Sequence, residues 1–303
     1  MKIALCICTY QRPQLLERLL NSLHHIQLGQ LAPDAVRIMV IDNYPDGRAR
    51  AICERLAGTL PVGLDFLEES RKGVAFARNT VIDVALKQGA EFVAFLDDDD
   101  LPHPDWLLRL FEKQKETQAD IVGSVFPPVV NPDWPDWLAK SPLFDKSPQG
   151  SKTKYGIAKN IGIGSTLISC KLLSRLQGEG PIFSDEFGRI GCEDADFFAR
   201  ATKNGAVICQ TSKAIVRRDY EQERLTVFGL LRDAYRIGNC INRLLTAYGT
   251  RTQVRRRKIK ACKKVIYGLL STVLQFFSKT RAVRSMYQVC RELGVLFGYG
   301  GSK

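Results

Sequence analysis

The feature that most constrains this chain is a run of four aspartates at residues 97–100, which directly follows an apolar segment. The preceding residues 91–96, EFVAFL, are rich in aromatic and aliphatic side chains, and this short segment predicts a buried strand. Ligands of open α/β sheets bind beyond the carboxyl ends of such strands. We therefore expect the four carboxylates to lie at a ligand-binding edge of a sheet.

These adjacent carboxylates repel one another and raise each other's pKa unless a positive charge lies among them. If the chain stays extended, Asp98 and Asp100 point to the same side and can bind one divalent cation. Oxygen ligands of this kind favour Mg²⁺ or Mn²⁺. The alternative is a solvated acidic turn that caps the following helix, with Pro102 and Pro104 at the helix start.

Apolar segments alternate with helical patterns along the first third of the chain. The predicted strands are residues 2–8, 36–41 and 63–67, and the predicted helices are residues 14–25 and 48–60. This alternation predicts an α/β fold with a mostly parallel, doubly wound sheet. Polar residues follow the strands at 9–10, 42–43 and 97–100, so one crevice at the carboxyl edge should collect them.

A glycine interrupts a basic segment, SRKGVAFARN at 70–79, that opens the next predicted helix. Gly73 lets the backbone approach a ligand closely, and a helix N-terminus attracts anions. Lys72 and Arg78 add positive charge at the same place. The segment indicates an anion site, and an ordinary solvated helix start is the alternative.

A second acidic group, Glu193, Asp194 and Asp196, begins a helical pattern after Gly191. Acidic residues at a helix N-terminus interact favourably with the helix dipole, by about 0.3–1 kcal/mol each. Dipole capping accounts for one or two of them. A general base, which needs a carboxylate within hydrogen-bond reach of a substrate proton, is the other interpretation. Both interpretations stay open at this point.

The whole chain has a net charge of +12, and the excess positive charge is concentrated at its end. Residues 251–303 contain 13 Lys or Arg and one acidic residue, Glu292, whereas residues 1–250 contain 31 of each sign. A basic run at 255–264 precedes an apolar run at 265–277 that is too short to span a bilayer. This combination is typical of a helix in the interface of an anionic membrane. One alternative is a helical hairpin that packs on the body of the protein and leaves its basic face solvated. The other is a nucleic-acid site, but a recognition motif for nucleic acid is missing, so we expect no nucleic acid.

Cysteine usage indicates a reducing compartment. The nine cysteines are scattered and never spaced as CxxC, so we expect neither a disulfide framework nor a zinc site. The apolar start is too short for a signal peptide, and no segment reaches the roughly 20 apolar residues of a spanning helix. We therefore expect a cytoplasmic protein.

Residues 127–150 form a long irregular segment rich in Pro, Asp and Trp. Such segments within a compact domain are usually functional lids or disordered. Trp134 and Trp137 can stack on a sugar, contact a partner at an interface or pack beneath the segment, and these interpretations stay open.

Five short segments of the chain resemble the motifs of a known protein family. They are CTYQRP at 8–13, VIDN at 40–43, KGVAFARN at 72–79, FLDDDDLPHPDWL at 95–107 and GCEDADFFAR at 191–200. In this order they resemble the inverting family-2 glycosyltransferases with the GT-A fold, and they are most similar to bacterial exopolysaccharide enzymes of the succinoglycan type. The resemblance covers residues 1–220. The QxxRW motif of the processive synthases is missing, which implies that one sugar is added per encounter.

The resemblance implies roles for individual residues. The implied nucleotide-sugar contacts are Thr9, Tyr10, Arg12, Asp42 (beside the nucleobase), Lys72, Arg78 and Asp98 (near the ribose). Asp98 and Asp100 match the outer carboxylates of the DxD motif, with Asp100 expected to bind the metal. Asp194 matches the general base, with Glu193 as its neighbour. Because Asp97 and Asp99 have the same spacing, the DxD register stays open.

Together these observations predict a GT-A domain at residues 1–220 and a basic, membrane-associating helical region at 221–303. The resemblance implies inverting transfer from a UDP-linked sugar to a lipid-linked saccharide at the cytoplasmic face of the inner membrane, with Mn²⁺ or Mg²⁺. We expect Asp194 and the aspartate run to face each other across one cleft. The alternative is a non-catalytic, membrane-associated nucleotide-sugar-binding protein.

Overall fold

The computed structural model describes residues 2–125, 134, 136–139, 161–218, 225–275 and 277–298. The chain forms two compact units. The first unit comprises Met1–Pro127, Lys146–Arg189 and Asp196–Asp219, and the second comprises Pro128–Asp145, Ile190–Ala195 and Tyr220–Lys303.

An eight-stranded mixed sheet organises the first unit. Its strands are β1 (Ile3–Thr9), β2 (Val36–Asp42), β3 (Gly63–Glu68), β4 (Phe92–Asp97), β5 (Asp100–Pro102), β6 (Ile121–Val125), β7 (Thr166–Ser169) and β8 (Ile208–Arg218). The strand order is β3-β2-β1-β4-β7-β6-β8-β5. The first four of these are parallel neighbours, whereas β7 runs antiparallel to β4 and β6. This arrangement confirms the predicted α/β class.

The helices of the chain, in order, are α1 (Pro13–Ser22), α2 (Arg48–Ala57), α3 (Val74–Lys87), α4 (Trp106–Thr117), α5 (Asp136–Ala139), α6 (Cys170–Gln177), α7 (Asp185–Gly188), α8 (Glu193–Lys203), α9 (Val227–Tyr248), α10 (Arg251–Leu274) and α11 (Lys279–Phe297). Short 3₁₀ turns follow α1 at Leu23–His25 and precede β2 at Pro33–Ala35.

Two hydrophobic cores cover the two faces of the sheet. Along β1, Ile3, Leu5 and Ile7 pack into one core with α1, α2 and α4. The intervening Ala4 and Cys6 pack into the other core with α3, α6 and α8. Successive strand residues point to opposite faces, so a nearly continuous apolar strand is what a sheet covered on both sides requires.

The second unit contains the helices α9, α10 and α11, and α11 packs against both of the others. Gly238 in α9 and Gly294 in α11 lie at a close crossing, where a Cβ atom on Gly238 would overlap the carbonyl of Arg291. Thr250 caps α10 with its side chain and Gln253 completes a reciprocal capping box. The tail therefore forms a helical hairpin, α10 and α11, that packs on α9.

Glu292, the one acidic residue of the tail, is fully buried in α11. Its carboxylate pairs with Arg257 at 2.5 Å, with Arg291 at 3.2 Å and with Lys264 at 3.5 Å. Burial opposes ionisation, but the hydrogen bond and charge of Arg257, together with the other two cations, outweigh it and lower the pKa of Glu292. This ion cluster links α10 to α11.

One face of α10 exposes apolar side chains. Ile266, Tyr267, Leu270, Val273 and Leu274 are between 61% and 81% exposed. No helix in the described part of the chain is both long enough and apolar enough to cross a membrane.

A disulfide joins Cys192 to Cys240, which the cysteine spacing did not predict. The two residues are 48 positions apart in the sequence, and only the folded chain brings them together. The other seven cysteines are free thiols. The expectation of a chain without disulfides was wrong in this respect.

Trp134 and Trp137 are the described tryptophans of the irregular segment. Trp134 packs with Leu138 and Leu230 in a small apolar cluster, and Nζ of Lys279 lies 5.2 Å from the Trp137 ring centroid. Both contacts favour the packing interpretation. Most of the segment at 127–150, and with it the question of a lid, lies outside the described residues.

Candidate active site

The carboxyl ends of β1, β2 and β4 lie side by side in the sheet. In the parallel register Thr9 pairs with Asp42, and Cys8 pairs with Asp97. The polar residues that follow these strands therefore meet at one edge, as the alternating pattern predicted. Such an edge is the usual ligand-binding position in an α/β sheet.

The aspartate run turns sharply instead of staying extended. Strand β4 ends at Asp97, and β5 begins at Asp100 after a two-residue turn. The Asp97 amide donates to the Asp100 carboxylate at 2.9 Å, which folds the run back on itself. As a result, carboxylate oxygens of Asp97, Asp99 and Asp100 all lie within 4.8 Å of one another. We call these three residues the aspartate cluster.

Asp98 points away from this cluster, which corrects the expectation that it converges with Asp100. It accepts a hydrogen bond from the Thr9 hydroxyl at 3.0 Å and lies 3.4 Å from Nη1 of Arg12. The expectation assumed an extended backbone, and the turn reverses the side on which Asp98 emerges. Burial raises the pKa of Asp98 to about 6, although the charge of Arg12 acts in the opposite direction.

The aspartate cluster has the donor chemistry for a hard divalent cation. Its oxygens are the ligand type that Mg²⁺ and Mn²⁺ prefer. Two oxygens bound to one Mg²⁺ are at most about 4.2 Å apart, because each bond is about 2.1 Å long. With oxygens up to 4.8 Å apart, the three aspartate side chains themselves need only small adjustments to meet on one ion. Asp97, Asp99 and Asp100 fit such an ion.

Protein cations already lie among these carboxylates. Arg218, the last residue of β8, donates to Asp100 at 2.8 Å and to Asp97 at 2.7 Å. The buried side chain of Arg78 approaches Asp97 at 3.3 Å. Guanidinium groups of the chain itself thus relieve the repulsion between these carboxylates. From the sequence, we expected a metal ion to provide this positive charge.

Burial governs the electrostatics of this edge. It raises the pKa of Asp100, and Asp97 adds to the effect, whereas Arg218 opposes it. Burial alone would lower the pKa of Arg218, but the charges of Asp97 and Asp100 outweigh that effect and raise it. A charged pair of this kind needs both partners, because removing one leaves a buried charge uncompensated.

An aromatic and cationic surface adjoins the ends of β1 and β2. The rings of Tyr10 and Tyr44 meet edge to face at 5.6 Å, and Nζ of Lys72 lies 5.7 Å from the Tyr10 centroid. Asp42 is buried beside them and accepts from the Tyr44 amide at 2.9 Å. Burial raises the pKa of Asp42, and the Tyr44 hydrogen bond opposes that shift. Aromatic faces next to polar groups suit a nucleobase.

Asn43 holds the glycine-containing loop against this surface, a role that the sequence reading missed. Its amide donates to the carbonyls of Glu69 and Arg71 at 2.8 and 2.7 Å, and its carbonyl accepts from the Gly73 amide at 2.8 Å. The only sequence signal was its position directly after a strand. Asn43 fixes the backbone that precedes α3.

Glu193 and Asp194 start helix α8 in the second unit. Glu193 is buried, whereas Asp194 is partly exposed and accepts from the Ala195 amide at 2.7 Å. The segment before them is tied to α9, because Arg236 donates to the Gly191 carbonyl at 2.8 Å and Cys192 bonds to Cys240. A carboxylate on a segment held in this way has a defined position, as a general base requires.

Asp196 serves a structural purpose. It is fully buried, and its carboxylate pairs with Arg200 one turn later at 3.0 Å. Arg200 also donates to the Ile182 carbonyl. Of the three acidic residues at this helix start, Asp196 is thus part of the core of the first unit. The roles predicted for Glu193 and Asp194 stay predictions.

The sequence profile of glycosyl transferase family 2 matches residues 4–176. The succinoglycan biosynthesis protein ExoM of Rhizobium meliloti (strain 1021) is 30% identical over 304 residues, which covers 98% of this chain and 92% of that protein. The similarity therefore extends through the C-terminal helices.

Solved structures share the fold. The mannosyltransferase PcManGT from Pyrobaculum calidifontis, in complex with GDP-Man and Mn²⁺, has a TM-score of 0.66 at 17% identity, covering 98% of this chain and 87% of that one. Residues 1–349 of S. aureus TarS, in complex with UDP-GlcNAc, have a TM-score of 0.52 at 16% identity, covering 97% and 91%. These likenesses show the GT-A glycosyltransferase fold that the motifs implied. With the profile match and the relative of nearly equal length, they establish that this chain belongs to glycosyl transferase family 2.

Proposed function

We propose that this protein transfers a sugar from a nucleotide donor, with UDP as the expected nucleotide, to a lipid-linked saccharide during bacterial polysaccharide assembly. The observation that carries the proposal is the edge where the aspartate cluster adjoins the Tyr10 and Tyr44 surface, in a chain of family 2. The relative named for succinoglycan biosynthesis supports an exopolysaccharide product, and TarS with UDP-GlcNAc supports a UDP-linked donor.

Donor binding is assigned to the strand ends. Tyr10 and Lys72 present a ring and a cation to the nucleotide, with Asp42 beside the nucleobase. Thr9 and Arg12 orient the Asp98 carboxylate. A carboxylate that accepts from two donors still has lone pairs for a third, so Asp98 can accept a hydrogen bond from a ribose hydroxyl. Arg78, buried next to Asp97, adds positive charge for the diphosphate.

The divalent cation is assigned to the aspartate cluster, with Asp100 and its neighbours Asp97 and Asp99 as ligands. When bound, Mn²⁺ or Mg²⁺ neutralises the negative charge that develops on the departing diphosphate. The Mn²⁺ in the mannosyltransferase complex supports this choice of ion.

Asp194 is assigned as the general base, with Glu193 beside it. The Asp194 carboxylate takes the proton of an acceptor hydroxyl while that oxygen bonds to the anomeric carbon and the bond to the diphosphate breaks. The electron pair leaves with the nucleoside diphosphate. A single displacement from the opposite face inverts the anomeric configuration.

The exposed face of α10 is assigned to the surface of an anionic bilayer. Leu270 and Val273 project from it, and Arg256 and Lys263 precede them at helical spacing on the same face. Basic residues next to apolar ones on a helix are attracted to anionic lipids and insert the apolar side chains. An acceptor carried on a membrane lipid would then lie within reach, at the cytoplasmic face of the inner membrane.

A donor screen tests the proposal. Purified protein is incubated with UDP-linked and GDP-linked sugars, Mn²⁺ or Mg²⁺ and a bacterial lipid extract, and release of the nucleoside diphosphate is measured. We expect release with at least one UDP-linked sugar that depends on both the metal and the extract. Tight binding of a nucleotide sugar without any release would favour a non-catalytic binding protein instead.

A further inference from the structure

Arg218 occupies the position among the aspartates where a cation would bind. Strand β8 runs antiparallel to β5, and the register places Arg218 directly opposite Asp100. Its guanidinium contacts all three members of the aspartate cluster, at 2.7 Å from Asp97, 3.4 Å from Asp99 and 2.8 Å from Asp100. These are the residues whose oxygens form the candidate metal site.

The guanidinium and a divalent cation therefore compete for the same carboxylates. A carboxylate oxygen that bonds to a metal at about 2.1 Å cannot keep a guanidinium at hydrogen-bond distance on the same lone pair. The two positive charges would also repel at this separation in a buried site. Binding of a divalent cation therefore requires Arg218 to give up its hydrogen bonds to the oxygens that the metal takes.

A charge as buried as Arg218 needs another anionic partner when it leaves. Its side chain is only 20% exposed. The diphosphate of a nucleotide is a suitable partner, because guanidinium forms paired hydrogen bonds with phosphate oxygens as it does with carboxylates. The nucleotide then gives Arg218 a new anionic partner and so frees the carboxylates for the metal. The metal in turn takes the carboxylates and so favours Arg218 on the phosphates.

We propose that Arg218 is the resident counter-ion of the aspartate cluster and a positioning residue that couples metal binding to nucleotide binding. Without nucleotide, Arg218 holds the cluster and weakens metal binding. With a nucleoside diphosphate, Arg218 moves to the phosphates and releases Asp97, Asp99 and Asp100 to the metal. This inference rests on the proposed donor and metal sites.

The adjacent residue provides a matched control. Arg217 has the same side chain on the same strand, but it is exposed, and its register partner is Leu101. Neighbouring strand residues point to opposite faces of the sheet, so Arg217 is directed away from the cluster. A change at Arg217 removes one positive charge from the strand without removing the counter-ion.

The experiment measures Mn²⁺ binding rather than activity. Free Mn²⁺ is followed by its electron paramagnetic resonance signal, with and without UDP, for wild type, R218Q and R217Q. In wild type, UDP should tighten Mn²⁺ binding by roughly 5–150-fold, the usual range for coupled sites. R218Q should bind Mn²⁺ without UDP at least about fivefold more tightly than wild type, with a smaller effect of UDP. R217Q should match wild type.

R218K is a second variant for the case in which R218Q does not fold. Lysine keeps the buried positive charge but cannot donate the paired hydrogen bonds of a guanidinium. It should show an intermediate Mn²⁺ affinity. Equal or weaker Mn²⁺ binding in R218K and R218Q than in wild type, without UDP, would overturn this inference alone. If no variant binds Mn²⁺ with or without UDP, the proposed metal site fails as well.

Discussion

Gly73 shows how one backbone position supports the nucleotide side of the site. Its φ of 140° lies in the region that residues with a side chain rarely adopt. In this conformation its amide donates to Asn43, and α3 begins at the next residue. The loop between β3 and α3 is therefore held against Asn43, which follows β2, and this conformation explains the glycine found in the basic segment.

Gly73→Ala should lower both stability and nucleotide affinity. Alanine at this φ destabilises the fold by about 1–3 kcal/mol, because the Cβ strains the backbone. Urea unfolding and UDP titration measure the two effects. Gly58→Ala is the control, since Gly58 has an ordinary helical conformation and open space around its Cα, and we expect no loss there. Equal unfolding midpoints for the two variants would contradict the assigned strain.

Glu69 makes part of the stability depend on pH. Two side-chain hydrogen bonds from Arg71, with help from Thr80, lower the pKa of this buried carboxyl to about 2, from an ordinary value of 4.5. A depressed pKa means that the ionised group stabilises the fold above pH 4.5. That contribution is lost as the pH falls from 4.5 towards 2.

Glu69→Gln should therefore be less stable than wild type at pH 7, and the difference should narrow as the pH falls below 4.5. Urea unfolding of both proteins at a series of pH values measures this difference and cancels the contributions of other groups. A difference that stays constant down to pH 3 would show that the Arg71 pairing does not set the pKa of Glu69.

The aspartate run shows where residue-level reading from sequence succeeded and where it failed. Its place at the end of a buried strand was readable from the apolar segment before it. The identity of the converging residues was not, because the turn after Asp97 depends on the Asp100 side chain capping the Asp97 amide. Arg218 was also missed, since its pairing with Asp100 comes from strands far apart in sequence.

Among the elements, α10 combines a packed face with an exposed apolar face. Ala261 and Gly268 are buried, with Gly268 close to Val289 of α11, whereas Leu270 and Val273 are 61% and 75% exposed. Basic side chains precede them, so the helix has the charge and apolar pattern of an interfacial segment. The basic run and the apolar run after it predicted a helix here, but only the packing shows which side is exposed.

The double variant Leu270→Gln/Val273→Gln should bind anionic vesicles roughly tenfold or more weakly than wild type, because each aliphatic side chain contributes about 1.5–3 kcal/mol when fully buried. Co-sedimentation with vesicles that contain phosphatidylglycerol measures the affinity. Val207→Gln removes a side chain that is 54% exposed outside this helix and should bind like wild type. Vesicle binding that is insensitive to the double variant would exclude this face as the contact.

The strands β1 to β4 and the helices α1 and α2 were predictable from their apolar patterns, whereas β8 was among the elements missed. Along β8, Ala214 and Val216 are buried while Lys213, Ile215 and Arg217 are exposed. This period-two alternation is the signal of a half-exposed strand. The polar residues QTS at 210–212 interrupt it, and the register with β6 shifts at an irregularity near Val125, so the pattern is weaker than in the buried strands.

At the scale of the whole molecule, the two units carry different parts of the proposed reaction. The first unit contains the aspartate cluster and the surface for the nucleotide, and its sequence is nearly balanced in charge. The second contains Asp194 and the basic helices, which hold the excess positive charge of the chain. The proposed function thus assigns donor binding to the first unit, and the general base and the membrane-binding helix to the second.

This division could be predicted only in part. The order of the motifs predicted nucleotide-sugar contacts within the first 100 residues, and the charge distribution predicted a basic region at the end of the chain. The contacts of the segment that carries Asp194 with Cys240 and Arg236 of α9 have no signature in the sequence, because they depend on the helical packing of the tail.

The role of Asp194 as general base is tested by the rate of nucleoside diphosphate release by Asp194→Asn in the complete assay with donor, metal and lipid acceptor. Loss of a general base typically costs about 10²–10⁴-fold in rate, so we expect a decrease of that size with UDP affinity unchanged. Asp34→Asn, in an exposed turn, is the control and should react like wild type. Turnover by Asp194→Asn at the wild-type rate would contradict the account.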